Sequence, residues 1–390
     1  MNVNQTVIST SPENRETPLA DVQGWVTPSR WFFVRSHYEA PEVDLDSWEV
    51  SVAGCVERPL AVNWEQLNSL PQQSVFYTME CAGNGRSFLH PAVEGVQWNA
   101  GAVGHAEWSG VPLKYLLDEA GLQTDAVEIV FSGGDLGVEK GYDEPQPYAR
   151  SLPLEKALHP DTLLATRMNG ELLEQSHGFP VRLLVPGWYG VASVKWLKSI
   201  EVVSQPFDGY FQTVKYTIQR ETGRGMQSEV VGPMPVKSEM IRPTADATLG
   251  IGANRMFGMA WAGEEAVEAV EVSVDGGETW QRAELNGPRA PYSWTLWEYL
   301  WEVAVPGEYE LMSRAISTGG RIQPTQHDPN FSGYLINFSR KTTVHIEAEQ
   351  QSHDLLGDWK SLRHEMTEVA RARAGMPLDA EMEFSSGAGI

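Results

Sequence analysis

The stretch AVEAVEVSVDGGETWQRAEL, residues 266–285, decides the fold of the second half of the chain. Its first part alternates apolar and polar residues, which is the period of a strand with one buried face. The apolar positions of that face include Val270, Val272 and Val274. Asp275, Gly276 and Gly277 then predict a hairpin turn.

Two later segments repeat the alternation: YSWTLWEYLWEV (292–303) and GEYELMSRAIS (307–317). Short strands with a turn signal about every dozen residues are typical of a β-sandwich. The sequence therefore predicts an immunoglobulin-like module over residues 236–346.

The first half predicts a different architecture, in which strand-like runs alternate with short helices from Trp25 to about residue 220. SWEVSVAG (47–54) and AVEIVFSGG (126–134) are typical of strands that end in turns. GVPLKYLLDEAG (110–121) predicts a helix with Pro112 in its first turn and a glycine C-cap. Its apolar face comprises Leu113, Leu116, Leu117 and Ala120. The predicted fold class is therefore α+β.

Three segments lie outside these two modules. Residues 1–24 are polar and predict a poorly ordered N-terminal tail. Residues 221–240, rich in Gly, Pro and polar side chains, predict a linker or a long connection. The C-terminal tail, 347–390, is predicted to be partly helical because apolar residues recur at helical spacing. These are Leu355, Trp359, Leu362, Met366 and Val369. Such a stripe fits either a helix docked on its own protein or one that binds a partner.

Composition excludes several classes of protein. Among 390 residues, 52 are acidic and 29 basic, so the formal net charge is −23. That charge repels nucleic acid and anionic membranes, although it suits solubility or a basic protein partner. No apolar stretch reaches the roughly 20 residues of a membrane helix. The N-terminus lacks an export signal, so a cytoplasmic location is expected. The two cysteines form no zinc motif.

The segment YTMECAGNGRSF (77–88) is the strongest candidate for chemistry. Cys81 follows a strand-like run and precedes glycines that permit a tight loop. Arg86 is placed to stabilise a thiolate or an anion. The alternatives are a small buried hydrophobic residue or a nucleophile paired with a histidine, although no histidine is specially placed for that pairing.

Further cationic and hydrogen-bonding side chains come from two other segments. They are Arg35, His37, His177, Arg182 and Lys195. If these groups converge, they suit a phosphate-bearing cofactor, which composition alone does not name.

These segments resemble motifs of the sulfite oxidase family of molybdenum–pterin enzymes, from about Trp25 to His345. The matching segments are FVRSH (33–37), ECAGNGRS (80–87), WNAGAVGHAEWSGVPL (98–113), MNGELLEQSHGFPVRLLVPGWYGVASVKW (168–196) and VSVDGGETW (272–280). The resemblance implies an α+β molybdopterin-binding catalytic domain over residues 25–235. It also implies that the sandwich is a dimerisation domain, and hence that the protein is a homodimer.

The resemblance also implies site residues. Cys81 is expected to be the thiolate ligand of molybdenum, which suits a metal that prefers soft sulfur donors. The expected cofactor contacts are Phe33, Val34, Arg35, Ser36, His37, Cys81, Asp135, His177, Arg182, Ser193, Val194 and Lys195. The expected catalytic residues are Cys81, Tyr216, Arg35, Arg86 and Trp98.

This chain departs from the family pattern at four positions: Gly85 and Ser332 stand in place of arginines, Glu94 in place of a lysine, and Lys215 in place of an acid. Ser332 bears most on the substrate, because a guanidinium there would bind an oxyanion. Arg321 and Arg340 are the candidate replacements.

The implied activity is molybdenum-dependent oxidation of sulfite to sulfate. No heme domain or CxxCH motif is visible, so electrons are expected to pass to an external acceptor, a separate cytochrome or dioxygen. Sulfane dehydrogenase-like activity, or another sulfur-oxyanion or sulfoxide reaction, is the alternative. A non-catalytic binding scaffold is the alternative from a different class.

Overall fold

The architecture comes from a computed structural model that describes residues 5–348 except 23, 224, 288, 289, 329 and 331. Strands dominate and helices are few in these residues, which confirms the α+β prediction. The predicted stripe from Leu355 to Val369 lies outside the described residues. No helix in the described part of the chain is long and apolar enough to cross a membrane.

The first part of the chain consists mainly of strands with short helices between them. Its strands are β1 (Val7–Thr10), β2 (Glu13–Arg15), β3 (Val34–Arg35), β4 (Glu49–Gly54), β5 (Leu60–Asn63), β6 (Gln73–Glu80), β7 (Val103–Pro112), β8 (Glu128–Gly137), β9 (Gln146–Pro153), β10 (Leu163–Met168), β11 (Glu171–Leu172), β12 (Arg182–Leu184), β13 (Leu197–Val203), β14 (Thr217–Thr222) and β15 (Gly225–Val230). Its α-helices are α1 (Trp64–Ser69), α2 (Leu113–Ala120) and α3 (Leu154–Ala157). Single turns of 3₁₀ helix occur at Leu19–Asp21, Ser29–Trp31, Arg86–Phe88, Gln175–His177 and Gly190–Ala192, and a π-helical turn at Phe211–Lys215.

Two five-stranded sheets organise this part. One has the order β11-β10-β7-β6, with β12 paired to β10, and the other has the order β5-β4-β13-β8-β9. Pairing is antiparallel except between β4 and β13. Helix α2 has the predicted apolar face, which is buried, and its C-cap Gly121 has a φ of 70° that favours glycine. Pro112 closes strand β7 instead of lying in the first helical turn.

The second part is the predicted sandwich. Its strands are β16 (Lys237–Arg242), β17 (Ala247–Gly250), β18 (Gly252–Trp261), β19 (Val267–Ser273), β20 (Gln281–Arg282), β21 (Glu284–Asn286), β22 (Thr295–Val303), β23 (Gly307–Ser317) and β24 (Thr342–Glu347). They form one sheet of order β16-β18-β22-β21 and another of order β17-β24-β23-β19-β20. Val270 and Val272 are buried between the sheets, as the alternation predicts.

The sheet β16-β18-β22-β21 is buried on both faces where residues 258–260 of β18 pair with residues 295–297 of β22. Met256, Ala260 and Trp297 lie in the core of the sandwich. Met259 and Trp261, from the other face of the same strand β18, lie in the core of the first part. Alternate side chains of one strand therefore belong to two different cores.

The N-terminal segment has more structure than the sequence predicts. Strand β2 pairs with both β1 and β3, and Asn14 and Glu16 are buried. The Glu16 carboxylate accepts hydrogen bonds from the Asn99 backbone N–H at 2.5 Å and from its side chain at 3.2 Å. Polar residues can be buried here because they have such partners.

The predicted linker, 221–240, also differs, because it contains β15 and parts of β14 and β16. Strands β14 and β15 pair as a hairpin, with Thr217 opposite Val230 and Glu221 opposite Met226. Every residue of β15 is exposed. Strand β15 therefore has no buried face, which removes the alternation that normally indicates a strand.

Candidate active site

A cavity with about 670 Å³ of space, counting the part open to solvent, lies in the first part of the chain. Its lining comprises Phe32, Phe33, Val34, Arg35, Ser36, His37, Met79, Cys81, Ala82, Asp135, Tyr148, Ser176, His177, Arg182, Gly190, Val191, Ser193, Lys195, Trp196 and Tyr216. Most of the predicted site residues are thus brought together. Arg86, Trp98 and Val194 are not part of the lining.

Cys81 lies directly after strand β6, where the chain turns along the cavity. Its N–H donates to the Ala102 carbonyl at 2.9 Å, and its own carbonyl accepts from the Asn84 N–H at 2.9 Å. Burial raises the pKa of the Cys81 thiol, while the positive charges of Arg35 and Arg86 act in the opposite direction. Among the described residues no histidine is hydrogen-bonded to its sulfur, so the structure gives no support to a cysteine–histidine pair.

Arg35, His37 and Tyr216 form a hydrogen-bonded chain along one wall. The Arg35 Nη2 group lies 2.9 Å from His37 Nδ1, and His37 Nε2 lies 2.7 Å from the Tyr216 hydroxyl. Burial lowers the pKa of His37, so the ring is neutral. A guanidinium only donates, so Nδ1 accepts and Nε2 carries the proton. Tyr216 therefore accepts from His37 and keeps its own proton for another partner.

Arg182 and Lys195 are two further cationic residues of the lining. The Arg182 guanidinium donates to the carbonyls of His177 at 3.1 Å and Ser193 at 2.9 Å, and its Nε is buried with no hydrogen-bond partner among the residues that the structure describes. Lys195 Nζ donates to the Ser36 hydroxyl at 2.7 Å and the Ser176 carbonyl at 2.9 Å. Burial lowers the pKa of both groups. Their hydrogen-bond partners are neutral.

Asp135 provides the carboxylate of the lining. Burial raises its pKa to about 6, although the neighbouring charge of Lys195 lowers it in part. Its Oδ1 atom is buried and accepts no hydrogen bond within the described part of the chain. One carboxylate thus faces three cations, Arg35, Arg182 and Lys195. This charge distribution fits an anionic ligand that also offers a donor to Asp135.

Arg86 is packed beside the cavity instead of lining it. A Cβ at Gly83 would lie 2.6 Å from its guanidinium and one at Gly95 2.7 Å away, so a side chain at either position would displace the guanidinium; Gly95 also has a φ of 122°, which favours glycine. The guanidinium lies over the Tyr334 ring at 5.2 Å, and that ring stacks on Tyr216 at 5.0 Å. Arg86 and Tyr216 therefore both contact the Tyr334 ring. The role predicted for Arg86 at the substrate face stays a prediction.

Two other predicted residues also lie outside the lining. Trp98 is fully buried, and its indole N–H has no partner among the described residues. Val194 is fully buried as well. Its N–H donates to the Ala192 carbonyl, and its own carbonyl accepts a hydrogen bond from the Leu183 N–H.

Tyr334 was missed by the sequence analysis. It comes from the segment after the sandwich strand β23, two residues beyond Ser332, and the Leu335 N–H donates to the Ala82 carbonyl at 3.2 Å. This segment therefore lies against the loop that follows Cys81. The only sequence signal was an aromatic residue within the segment GYLINF, and this signal does not predict that its ring packs on Tyr216.

Neither candidate replacement for the missing arginine reaches the cavity. Arg321 pairs with Glu265 at 3.1 Å on the surface of the sandwich. Arg340 pairs with Glu239 and lies over the Phe88 ring at 3.7 Å. At Gly85 the φ is 92° and a Cβ would lie 3.2 Å from Ile336 Cγ2, which disfavours an arginine there.

A cationic cavity beside a buried cysteine, in an α+β domain followed by a sandwich, defines the class of molybdopterin-binding oxidoreductases. Residues 37–211 match the oxidoreductase molybdopterin binding domain, and residues 228–347 match the Mo-co oxidoreductase dimerisation domain. The predicted boundaries at 25, 235 and 346 stay predictions.

Similar proteins identify the family. The mitochondrial sulfite oxidase of Drosophila melanogaster is 33% identical over 87% of this chain and 62% of its own length. The sulfite oxidase of Gallus gallus is 33% identical over 84% of this chain and 75% of its own. The crystal structure of the sulfane dehydrogenase SoxCD from Paracoccus pantotrophus has a TM-score of 0.75 at 29% identity, over 87% of this chain and 88% of that one. The chain belongs to the sulfite oxidase family, and it spans about three fifths of the fly relative.

Proposed function

We propose that this chain is a molybdenum–molybdopterin oxidoreductase that oxidises sulfite to sulfate and passes electrons to an external acceptor. The observation that carries the proposal is the surplus of cations in the cavity next to Cys81. Arg35, Arg182 and Lys195 lie there in a protein whose net charge is −23. Arg182 is buried and Arg35 and Lys195 are half-buried, so keeping the three charges together costs free energy unless an anion accompanies them. Family membership supports the same cofactor and reaction.

The residues present fit the cofactor. Arg182 and Lys195, with the hydroxyls of Ser36 and Ser193, would hold its phosphate, and the unpartnered Oδ1 of Asp135 would accept from a pterin N–H. Phe33, Val34, His37 and His177 would complete the binding surface. The Cys81 thiolate would be the metal ligand that the protein contributes.

The reaction requires a two-electron oxidation of sulfur: sulfite and water give sulfate, two protons and two electrons. When bound, molybdenum would supply the two-electron redox change and the transfer of oxygen to sulfur. Arg35 would hold an oxygen of the substrate by a charge-assisted hydrogen bond. Tyr216, which accepts from His37, would direct its own proton into the cavity. The neutral His37 ring fixes that direction, because its Nδ1 accepts from Arg35.

The decisive experiment is sulfite-dependent reduction of ferricyanide by protein loaded with molybdenum. We expect two ferricyanide ions to be reduced for each sulfate formed, because ferricyanide takes one electron at a time. Metal analysis of the same protein should give stoichiometric molybdenum. Absence of molybdenum would overturn the assignment of the cofactor and favour a non-catalytic binding scaffold. Molybdenum without sulfite turnover would overturn only the substrate.

A second candidate substrate class is favoured by one observation, the absence of a guanidinium at position 332. The solved structure of a sulfane dehydrogenase resembles this chain, so a less charged sulfur substrate is the alternative. Ser332→Arg tests it. A hydrogen bond to a charged group contributes about 1.5–3 kcal/mol, so kcat/KM for sulfite should rise about tenfold or more.

The matched control for this variant is Ser69→Arg, which adds the same charge at an exposed serine of α1. It should leave kcat/KM for sulfite unchanged. If Ser332→Arg also has no effect, the missing guanidinium does not limit the use of sulfite.

The match of residues 228–347 to a dimerisation domain supports a homodimer. The two electrons would leave each subunit singly, to a separate cytochrome or to dioxygen.

A further inference from the structure

Arg150 is a buried cation that the proposed chemistry does not use. It lies on β9, is 1% exposed and is not part of the cavity lining. Its Nη1 donates to the Phe211 carbonyl at 2.5 Å and its Nη2 to the Val231 carbonyl at 2.8 Å. Nε is buried without a partner, and Arg150 forms no salt bridge with a residue that the structure describes.

The two carbonyls bracket the segment that carries Tyr216. Phe211 begins the π-helical turn that ends at Lys215, just before Tyr216. Val231 follows the hairpin β14-β15, and its N–H donates to the Tyr216 carbonyl at 2.9 Å. The Arg150 guanidinium thus binds both ends of the segment that runs from Phe211 to Val231 and contains Tyr216. Strand β15 of the hairpin is exposed, and within the described part of the chain the hairpin pairs with no other strand.

The same segment packs on the hydrogen-bonded chain of the cavity wall. The Phe211 ring lies 4.7 Å from the His37 ring and 4.6 Å from the Tyr148 ring. Tyr216 reaches His37 through its hydroxyl at 2.7 Å. A shift of Phe211 would therefore affect His37 and a shift of Val231 would affect Tyr216, so each bears on one partner of that hydrogen bond.

A buried guanidinium without a carboxylate is costly, and a neutral amide could satisfy a single carbonyl at less cost. Only the planar fork of arginine presents donors to two separate carbonyls at fixed spacing. We infer that Arg150 is a positioning residue that clamps Phe211 and Val231, so that the Tyr216 hydroxyl stays against His37 at the cavity. The structural role of Arg150 rests on these contacts alone. Its expected effect on catalysis rests in addition on the proposed function.

A double-mutant cycle with Tyr216→Phe tests whether Arg150 acts through Tyr216. Arg150→Met should lower kcat about tenfold or more and change KM by less than about threefold. In the Tyr216→Phe background, Arg150→Met should cause little further loss, because the hydroxyl it positions is already gone. Losses that multiply would overturn the inference, since a general structural defect acts independently of Tyr216.

Hydrogen exchange provides a readout without turnover. In Arg150→Met, amides of residues 205–231 should exchange faster, while those of β19 and β23 should not change. Gln212→Met is the matched control, because Gln212 anchors the same segment through one neutral hydrogen bond from the Ser151 N–H at 3.3 Å. It should have the smaller effect on exchange. Equal exchange in Arg150→Met and the natural protein would overturn the clamp.

Arg150→Lys covers the case in which the methionine variant does not fold. It keeps the charge, but one ammonium cannot reproduce the fork, so faster exchange in 205–231 and the same non-additivity with Tyr216→Phe are expected. Arg314→Gln, which removes a half-buried cation paired with Glu271 on the sandwich, should leave both readouts unchanged. If Tyr216→Phe keeps full activity, the proposed role of Tyr216 fails while the exchange data still decide the clamp.

Discussion

Cys81→Ser is expected to abolish turnover while the fold is retained. Serine has nearly the same shape as cysteine, and the backbone hydrogen bonds of Cys81 to Ala102 and Asn84 do not involve the side chain. Its hydroxyl is a hard donor that does not replace a soft thiolate on molybdenum. The loss of activity should exceed about a hundredfold. Mutation of residues that merely hydrogen-bond to a metal ligand already lowers metal affinity or activity by roughly 10–100-fold.

The measurement is kcat with sulfite and ferricyanide, normalised to bound molybdenum, together with the Tm. Cys55→Ser is the matched control, since Cys55 is a half-buried thiol outside the cavity lining. It should keep full activity. Activity in Cys81→Ser comparable to that of Cys55→Ser would refute ligation by Cys81.

Lys237→Met is expected to have the largest effect on stability. Lys237 is 4% exposed and Glu80 is 1% exposed, and Lys237 Nζ lies 2.7 Å from Glu80 Oε1. Trp261 Nε1 donates to Glu80 Oε2 at 2.9 Å, and the Asn84 side chain donates to Oε1 at 3.0 Å. Removing the ammonium leaves a buried carboxylate without its counter-charge, which costs about 3–5 kcal/mol.

The free energy of unfolding, measured in denaturant, tests this prediction. Lys341→Met is the control, because it breaks an ion pair with Glu310 that is exposed on both sides. Such pairs contribute about 0–1 kcal/mol. The double variant Glu80→Gln/Lys237→Met should recover part of the loss, since no buried charge is left unpaired. A loss in Lys237→Met as small as that in the control would contradict the buried-pair argument.

The sequence predicted those parts of the fold whose pattern is local. Helix α2 was predicted because one face of its two turns is apolar, and β19 because alternate valines enter the core. The hairpin β14-β15 and the strand β2 were not predicted. Strand β15 has no buried face, and β2 consists of polar residues of which the middle one, Asn14, is buried.

The candidate site follows the same rule. Motif resemblance predicted Cys81, Arg35 and Lys195 as site residues, and all three line the cavity. The prediction was possible because each residue lies within its own short sequence motif. It did not predict that Tyr334 contacts both Arg86 and Tyr216, since those contacts depend on how the sandwich packs against the first part. Arg150 was missed because its partners, Phe211 and Val231, are 61 and 81 residues away in sequence.

The sheet β16-β18-β22-β21 has a consequence for cooperativity. Because its two faces belong to two cores, separating the parts would expose Met259 and Trp261 to water. The reciprocal hydrogen bonds between Trp25 and Trp294, at 3.0 and 2.8 Å, would be lost in the same step. The sandwich is therefore not expected to behave as an independent folding unit. Both parts are expected to melt in one transition, as a single thermodynamic unit.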